Sequence, residues 1–255
     1  MLVDTFLFFN EIDLVELRLR ELAHIVDRFI CVEATETFSG KPHALESGKL
    51  LPLKNKYPID FVVVRDMPPG TAWEREAHQR NAILRGLVGL PGDALILVSD
   101  ADEIPSADAI PADLSPREVA ALRQQFFYYS MQQRVMGEWL GTRLCRLEDL
   151  RTWQPQGVRH GATQYIDNGG WHFSYCGGTQ AIAHKIGAFS HQEYNAPQYT
   201  NAGNLDAAQR DNRDLFNRPE MAIVPEYGLD HLPRCVQDDP QRWAAHLPFY
   251  EAELA

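Results

Sequence analysis

The feature that most constrains this chain is Ala94-Leu-Ile-Leu-Val-Ser-Asp-Ala-Asp-Glu-Ile-Pro105, an apolar run that passes straight into three acids, Asp100, Asp102 and Glu103. Leu95 to Val98 is apolar at every position, the pattern of a strand covered on both faces, as in a parallel α/β sheet. Such sheets bind ligands just past the carboxyl ends of their strands. Carboxylates placed there stand beside the ligand, and the i, i+2 spacing of Asp100 and Asp102 lets one turn aim both at a hard cation carrying phosphates. An isolated D-x-D closes many ordinary turns. The buried strand in front of this one shifts the reading to a metal-diphosphate site.

The flanking segments agree with an α/β fold. Leu2 to Phe9 is strand-like, Asn10 can cap a helix carrying Ile12, Val15, Leu19, Leu22 and Val26 at helical spacing, and Arg28 to Glu33 reads as a second strand ending in an acid. Asp60 to Asp66 is a third. Thr71-Ala-Trp-Glu74 has the form of a capping box and opens a helix predicted to reach about Val88, before Gly89, Pro91 and Gly92 stop it. Alternation of this kind predicts an open, mostly parallel sheet. Beyond Pro105 the pattern turns mixed. Ala121 to Gln132 and Thr142 to Leu147 look like paired strands, Gly157 to Gly178 has the Gly- and aromatic-rich composition of loops, and a helix crosses Ala181 to Phe189. The tail from Arg218 to Pro248 is expected to wrap back. No linker rich in Gly, Ser or Pro marks a boundary, so residues 1–255 read as one domain with a nucleotide-binding half at 1–105.

Bulk properties exclude several classes. At 255 residues the chain is long enough to bury about 70% or more of its unfolded surface. A formal net charge of -11 argues against wrapping nucleic acid, whose affinity comes from Lys and Arg displacing counterions. The apolar runs fall short of a membrane span, and Met1-Leu-Val-Asp-Thr-Phe6 lacks the basic start of a signal peptide, so a cytoplasmic location is expected. Cys31, Cys145, Cys176 and Cys235 are scattered and suggest neither a zinc cluster nor a disulfide framework.

Individual residues admit two readings each. Glu33, at the exit of the second strand, is placed either to receive ribose hydroxyls or to cap backbone amides. On the capped helix, Arg75 shares a face with Gln79 and Arg80 with Glu76, so either arginine can clamp a diphosphate, while a surface Glu76–Arg80 pair is the plainer alternative. His172, His184 and His191 lie near Lys185. A neutral imidazole there can complete a metal shell of aspartate oxygens, the place given to His191, or simply be a hydrogen-bonded structural group. Trp139, Trp171 and Tyr175 are either core or a platform for a sugar ring.

Taken in order, a set of segments resembles glycosyltransferase family 17, the family of the enzyme that adds bisecting N-acetylglucosamine to N-glycans. The segments are Asp4-Thr-Phe-Leu-Phe-Phe-Asn-Glu11, Phe29-Ile-Cys-Val-Glu-Ala34, Thr37-Phe-Ser-Gly-Lys-Pro42, Trp73-Glu-Arg-Glu-Ala-His-Gln-Arg-Asn81, Ser99-Asp-Ala-Asp-Glu-Ile-Pro105, Gly170-Trp-His-Phe-Ser174, Lys185, Asp214-Leu-Phe216 and Leu232-Pro-Arg234. The resemblance implies a GT-A type fold, a UDP-sugar donor, most simply UDP-N-acetylglucosamine, and a divalent ion, Mn2+ or Mg2+, held by Asp100 and Asp102. It also implies inverting transfer to a carbohydrate acceptor bound by residues 106–255. Glu33, Arg75, Arg80 and Asn81 then become the donor-binding set. Animal members are membrane-anchored, whereas this chain starts at its first strand, which favours an enzyme working at the cytosolic face, in contact with the membrane surface at most.

Inverting transfer needs a base for the acceptor hydroxyl. Glu103, Asp167, His172 and Glu193 are the candidates, His172 first because it sits in the best-matched motif of its half. Two other classes compete. A phosphotransferase or phosphatase using Asp100 and Asp102 would carry its D-x-D on the first strand, not the fourth. A non-catalytic carbohydrate-binding module built on the aromatics would leave the acids without a role.

Overall fold

Residues 1–250 are described by a computed structural model, and the last five residues of the single domain expected over 1–255 lie outside the described residues. The four strands of the first half form as predicted. They are β1 (Leu2–Leu7), β2 (Arg28–Ala34), β3 (Ile59–Val64) and β4 (Leu95–Asp100), mutually parallel in the order β3-β2-β1-β4. The sheet continues through β7 (Gln133–Arg146), β6 (Val119–Tyr128), β9 (Gly170–Ser174) and β5 (Glu103–Pro105), with β8 (Gln164–Ile166) on β6 and β10 (Ile223–Pro225) on β7. β7 runs antiparallel to β4 and β6, whereas β9 is parallel to β6, so the second half is mixed. The α/β class, mostly parallel first and mixed afterwards, is the one the sequence predicts.

β4 shows why this run becomes a strand. Leu95 and Leu97 enter one core cluster and Ile96 and Val98 another, because successive side chains of a strand point to opposite faces. The first face is covered by α1 (Ile12–Leu22) through Val15, Leu19 and Leu22. The second is covered by Ile83 of α3 (Ile83–Gly86), Leu147 and Leu150 of α4 (Leu147–Trp153) and Val158 of α5 (Pro155–His160). Fully burying each such aliphatic side chain contributes about 1.5–3 kcal/mol. The tail does wrap back, burying Trp243 and Leu247 against Leu14, Leu17 and Phe127. Among the described residues no helix is long and apolar enough to cross a membrane.

Three local expectations need correction. Asn10 does not cap α1. The cap position is Glu11, whose carboxylate instead receives the amides of Phe9 and Asn10. The capping box at Thr71 and Glu74 is present, but α2 (Ala72–Asn81) ends at Asn81 and the chain restarts as α3, so the predicted helix is broken. The stretch read as loop, 157–178, holds most of α5 together with β8, β9 and the start of α6 (Gly178–Ala188). Its glycines serve close approach. At Gly170, with φ of +122°, a Cβ would fall on the carbonyl oxygen of Ile104 and 2.6 Å from the Ser106 nitrogen, so only glycine lets β9 lie this close to β5.

The acidic turn is held from beneath by one ion pair. Arg18 of α1 and Asp4 of β1 are both fully buried. Arg18 Nε and Nη2 donate to the two Asp4 carboxylate oxygens at 2.6 Å each. Nη2 also donates to Ser99, while Nη1 donates to the carbonyls of Asp100 (3.2 Å) and Glu103 (2.8 Å). All five guanidinium hydrogens are therefore used, three of them on the residues that begin and end the turn. Arg18→Met strands the Asp4 charge in the core and should cost about 3–5 kcal/mol of unfolding free energy, read by urea denaturation. A loss below about 1 kcal/mol would mean that the pair does not anchor the turn.

Candidate active site

A cavity of about 440 Å³ opens at the carboxyl ends of β1, β2 and β4, and Asp100, Asp102 and Glu103 all line it. Leu7 and Asp100 are paired neighbours at the ends of β1 and β4, which is where a parallel sheet presents groups to a ligand. The acids do not stand free. Asp100 Oδ1 accepts from Arg80 Nη2 at 2.9 Å and Oδ2 from Arg159 Nη2 at 3.1 Å. Glu103 takes both terminal nitrogens of Arg159 at 2.5 and 2.6 Å, the indole N–H of Trp139 at 2.7 Å and the Asp100 amide at 3.0 Å. Glu103 is thus a brace of the turn, fully committed and unsuited to act as a base. Asp102 Oδ2 accepts from Lys185 Nζ at 2.6 Å, and the same ammonium reaches Glu11 Oε1 at 3.1 Å.

Strand register explains where His172 stands. β9 pairs with β5 so that His172 faces Glu103, and with β6 so that it faces Phe126. The imidazole packs against both Phe126 (centroids 4.8 Å apart) and Trp139 (4.4 Å), which also meet each other at 5.4 Å, and it is 6% exposed. Its Nε2 is 3.7 Å from Asp102 Oδ2, too far for a hydrogen bond, and its Nδ1 is buried without a partner. Trp171, one residue earlier, points to the opposite face and is core, its indole donating to the His231 carbonyl at 2.7 Å. Of the three aromatics read as a platform, Trp139 and Tyr175 line the cavity.

Several residues expected in the site are elsewhere or otherwise engaged. Glu33 is spent on His43 Nε2 and the amides of Glu46 and Ser47, the capping alternative, and Glu36 and His43 line the cavity in its place. Arg75 donates to the Phe38 carbonyl and braces the 37–40 loop, and the Asn81 side chain accepts from the Gln156 amide. Asp167, its side chain 81% exposed, pairs with Arg123 outside the cavity. His191 lies at the rim beside Trp73, with Glu193 hydrogen-bonded to it at 2.7 Å rather than facing the cavity itself. Among the described residues no three His, Cys, Asp or Glu side chains gather as ligands of one ion, so the expected grouping of Asp100, Asp102 and His191 does not form. Sequence reasoning misses Arg159, because it lies on the six-residue α5 inside a stretch whose composition is that of a loop. Its one sequence signal was Pro155, which suits the first turn of a helix.

Do these residues suit a divalent ion? Both oxygens of Asp100 are held by guanidinium groups, which leaves it to position Arg80 and Arg159. Asp102 differs, since among the described residues no hydrogen bond reaches its Oδ1, and His172 Nε2 stands 3.7 Å from its other oxygen, Oδ2, which Lys185 holds. Six carboxylates line the cavity, Glu11, Glu36, Glu76, Asp100, Asp102 and Glu103, against four cations, Arg80, Arg159, Lys185 and Arg218. With imidazoles neutral, the wall carries an excess of two negative charges, the complement of one divalent cation. A carboxylate and an imidazole with that charge fit Mn2+ at Asp102 and His172 better than Mg2+, which prefers an all-oxygen shell.

Burial alone would raise the Asp102 pKa, but the charges of Lys185 and then His172 outweigh it and hold the carboxyl well below the usual range. A depressed folded-state value means stability that is present above the unfolded value near 4 and lost as pH falls through the folded one. Wild type should therefore lose stability faster than Asp102→Asn as pH drops below about 4, in denaturant melts at stepped pH. Parallel profiles would contradict the pairing.

The sequence profile described as Glycosyltransferase family 17 matches residues 1–253. Human beta-1,4-mannosyl-glycoprotein 4-beta-N-acetylglucosaminyltransferase is 28% identical over 112 residues, 40% of this chain and 21% of that protein, and the mouse enzyme is 27% identical over the same length. The matched segment thus spans about a fifth of these curated relatives. Among solved structures, S. aureus TarS 1-349 aligns at a TM-score of 0.39 with 9% identity, over 72% of this chain and 63% of its own. Glucosyl-3-phosphoglycerate synthase from Mycobacterium tuberculosis, in complex with Mn2+, UDP-glucose and glycerol 3-phosphate, aligns at 0.35 with 14% identity, over 68% and 71%.

Proposed function

The chain belongs to glycosyltransferase family 17, and from that premise we propose that its cleft transfers a sugar, N-acetylglucosamine before others, from a uridine diphosphate donor to a carbohydrate acceptor with inversion. One observation carries the reading: basic groups, a free carboxylate oxygen and an aromatic wall converge at the ends of the central parallel strands, where a nucleotide's phosphates and sugar would meet. The human and mouse relatives, named as N-acetylglucosaminyltransferases, favour N-acetylglucosamine.

The cleft divides along its length. Glu36, Thr37, His43 and the half-exposed Trp73, at the β2 side, suit the nucleoside. Arg80 and Arg159, held by Asp100, suit the diphosphate, since fixed guanidinium groups stabilise charge that grows on a leaving group. The face built from Trp139, Phe126 and His172 suits a pyranose ring. Asp102 and His172 would hold the divalent ion, which when bound supplies charge neutralisation to the diphosphate.

UDP-N-acetylglucosamine with Mn2+ should raise the melting temperature and be turned over. At a hundredfold excess over Kd the stabilisation is about 2.7 kcal/mol. Asp102→Asn should reduce turnover on the order of a thousandfold and His172→Ala at least tenfold, with the fold retained by circular dichroism. Stabilisation by guanosine or thymidine diphosphate sugars but not by uridine forms would overturn the donor.

A further inference from the structure

The ammonium of Lys185 sits where a cation bound to Asp102 would have to be. It lies 2.6 Å from Asp102 Oδ2 and 3.1 Å from Glu11 Oε1, bridging two carboxylates that come from different parts of the fold. Asp102 is 6% exposed, and a carboxylate so deeply placed cannot remain without a positive partner when no ligand is present. Lysine suits a removable partner. Its charge is compact and its four-carbon stem flexible, unlike the planar fork of arginine. The Lys185 side chain is about a quarter exposed, so it has a way out, and the Tyr175 ring, 6.0 Å from Nζ, offers the displaced ammonium a second resting place.

The neighbouring imidazole supplies an independent pointer to a ligand. His172 is nine-tenths buried, lines the same cleft, and among the described residues neither of its ring nitrogens is hydrogen-bonded. Buried polar groups are normally paired; here Nδ1 is buried without a partner, while Nε2, 3.7 Å from Asp102 Oδ2, is left free toward the carboxylate for a ligand to engage.

We propose that Lys185 is a stand-in cation: in the ligand-free protein its ammonium holds the place between Asp102 and Glu11, and a divalent ion entering at Asp102 and His172 displaces it into the cleft. Binding of the ion is then an exchange of one positive charge for two. The wall's excess of two negative charges falls to one if the ammonium leaves the cleft entirely, and to none if it stays within it over Tyr175. Released Lys185 is left facing the space that the diphosphate occupies. Only that last role rests on the nucleotide-sugar reading. The exchange itself concerns the ion.

The test uses Mn2+ alone, titrated calorimetrically into the full chain without nucleotide. Lys185→Met should bind Mn2+ at least tenfold more tightly than wild type, because the competing ammonium is gone, and adding Asp102→Asn should remove that binding. Unchanged or weaker Mn2+ binding by a Lys185→Met protein with wild-type circular dichroism would overturn the exchange. A second measurement on the wild-type protein serves should the variant fail to fold. Acetylation of Lys185 by an amine-reactive ester, followed by peptide mass spectrometry, should speed up several-fold when Mn2+ is added. Labelling that is unchanged or slowed by Mn2+ would equally overturn the proposal. If the Mn2+ results hold and no uridine diphosphate sugar binds, the donor reading fails and the exchange stands.

Discussion

The acidic turn at the cleft hangs from a guanidinium that is fully buried beneath it and does not line the cavity. Arg18 crosses from α1 beneath the ends of β1 and β4, and its five N–H groups are divided between the Asp4 carboxylate, the Ser99 hydroxyl and the carbonyls of Asp100 and Glu103. A lysine, with three N–H groups on a single nitrogen, could not make these five bonds. Because Arg18 stands on a helix and its partners on two central strands and the end of the turn, the position of Asp102 follows from core packing rather than from the flexibility of a loop. A site on rigid elements keeps its geometry when empty.

Above that anchor the charges are arranged in pairs that share members. Arg159 serves Glu103 and Asp100, Arg80 serves Asp100 and Glu76, and Lys185 serves Asp102 and Glu11. Burial penalises the charged Arg159 and Arg80, yet the acids around each raise its pKa further still, so both stay cationic. Asp100, which the spacing of the motif marked as a metal ligand, is the hinge of this network instead. Its two oxygens fix two guanidinium groups facing the cleft. The motif's acids thus have three tasks: Asp100 orients cations, Asp102 keeps one oxygen available, and Glu103 locks the turn.

How much of this could be read from residues alone follows from the range of the interactions. The β4 run, the acid turn after it and the Thr71 capping box depend on neighbours within a few positions, and they appear as read. Glu33 and Arg75 were placed correctly on their elements, but their partners, His43 and the amides of Glu46 and Ser47 for one and the Phe38 carbonyl for the other, were not visible in spacing. Arg159 meets Glu103 across 56 positions through a helix too short for periodicity to show. His172 was identified by motif, whereas its partners Phe126 and Trp139 are set by strand register, as is the turning away of Trp171. Asp167 shows the opposite error. Its place in the Gly-rich acceptor half suggests a base facing the sugar, whereas the turn between β8 and β9 puts it in solvent.

A crystal structure of the protein grown with UDP and Mn2+ tests the account most directly. It predicts density for the diphosphate between Arg80, Arg159 and Asp102, the ion on Asp102 and His172, the Lys185 ammonium moved away from Glu11, and the uracil toward His43 and Trp73. Nucleotide bound outside this cleft, or an ion held by Asp100 with Arg80 and Arg159 turned aside, would contradict it.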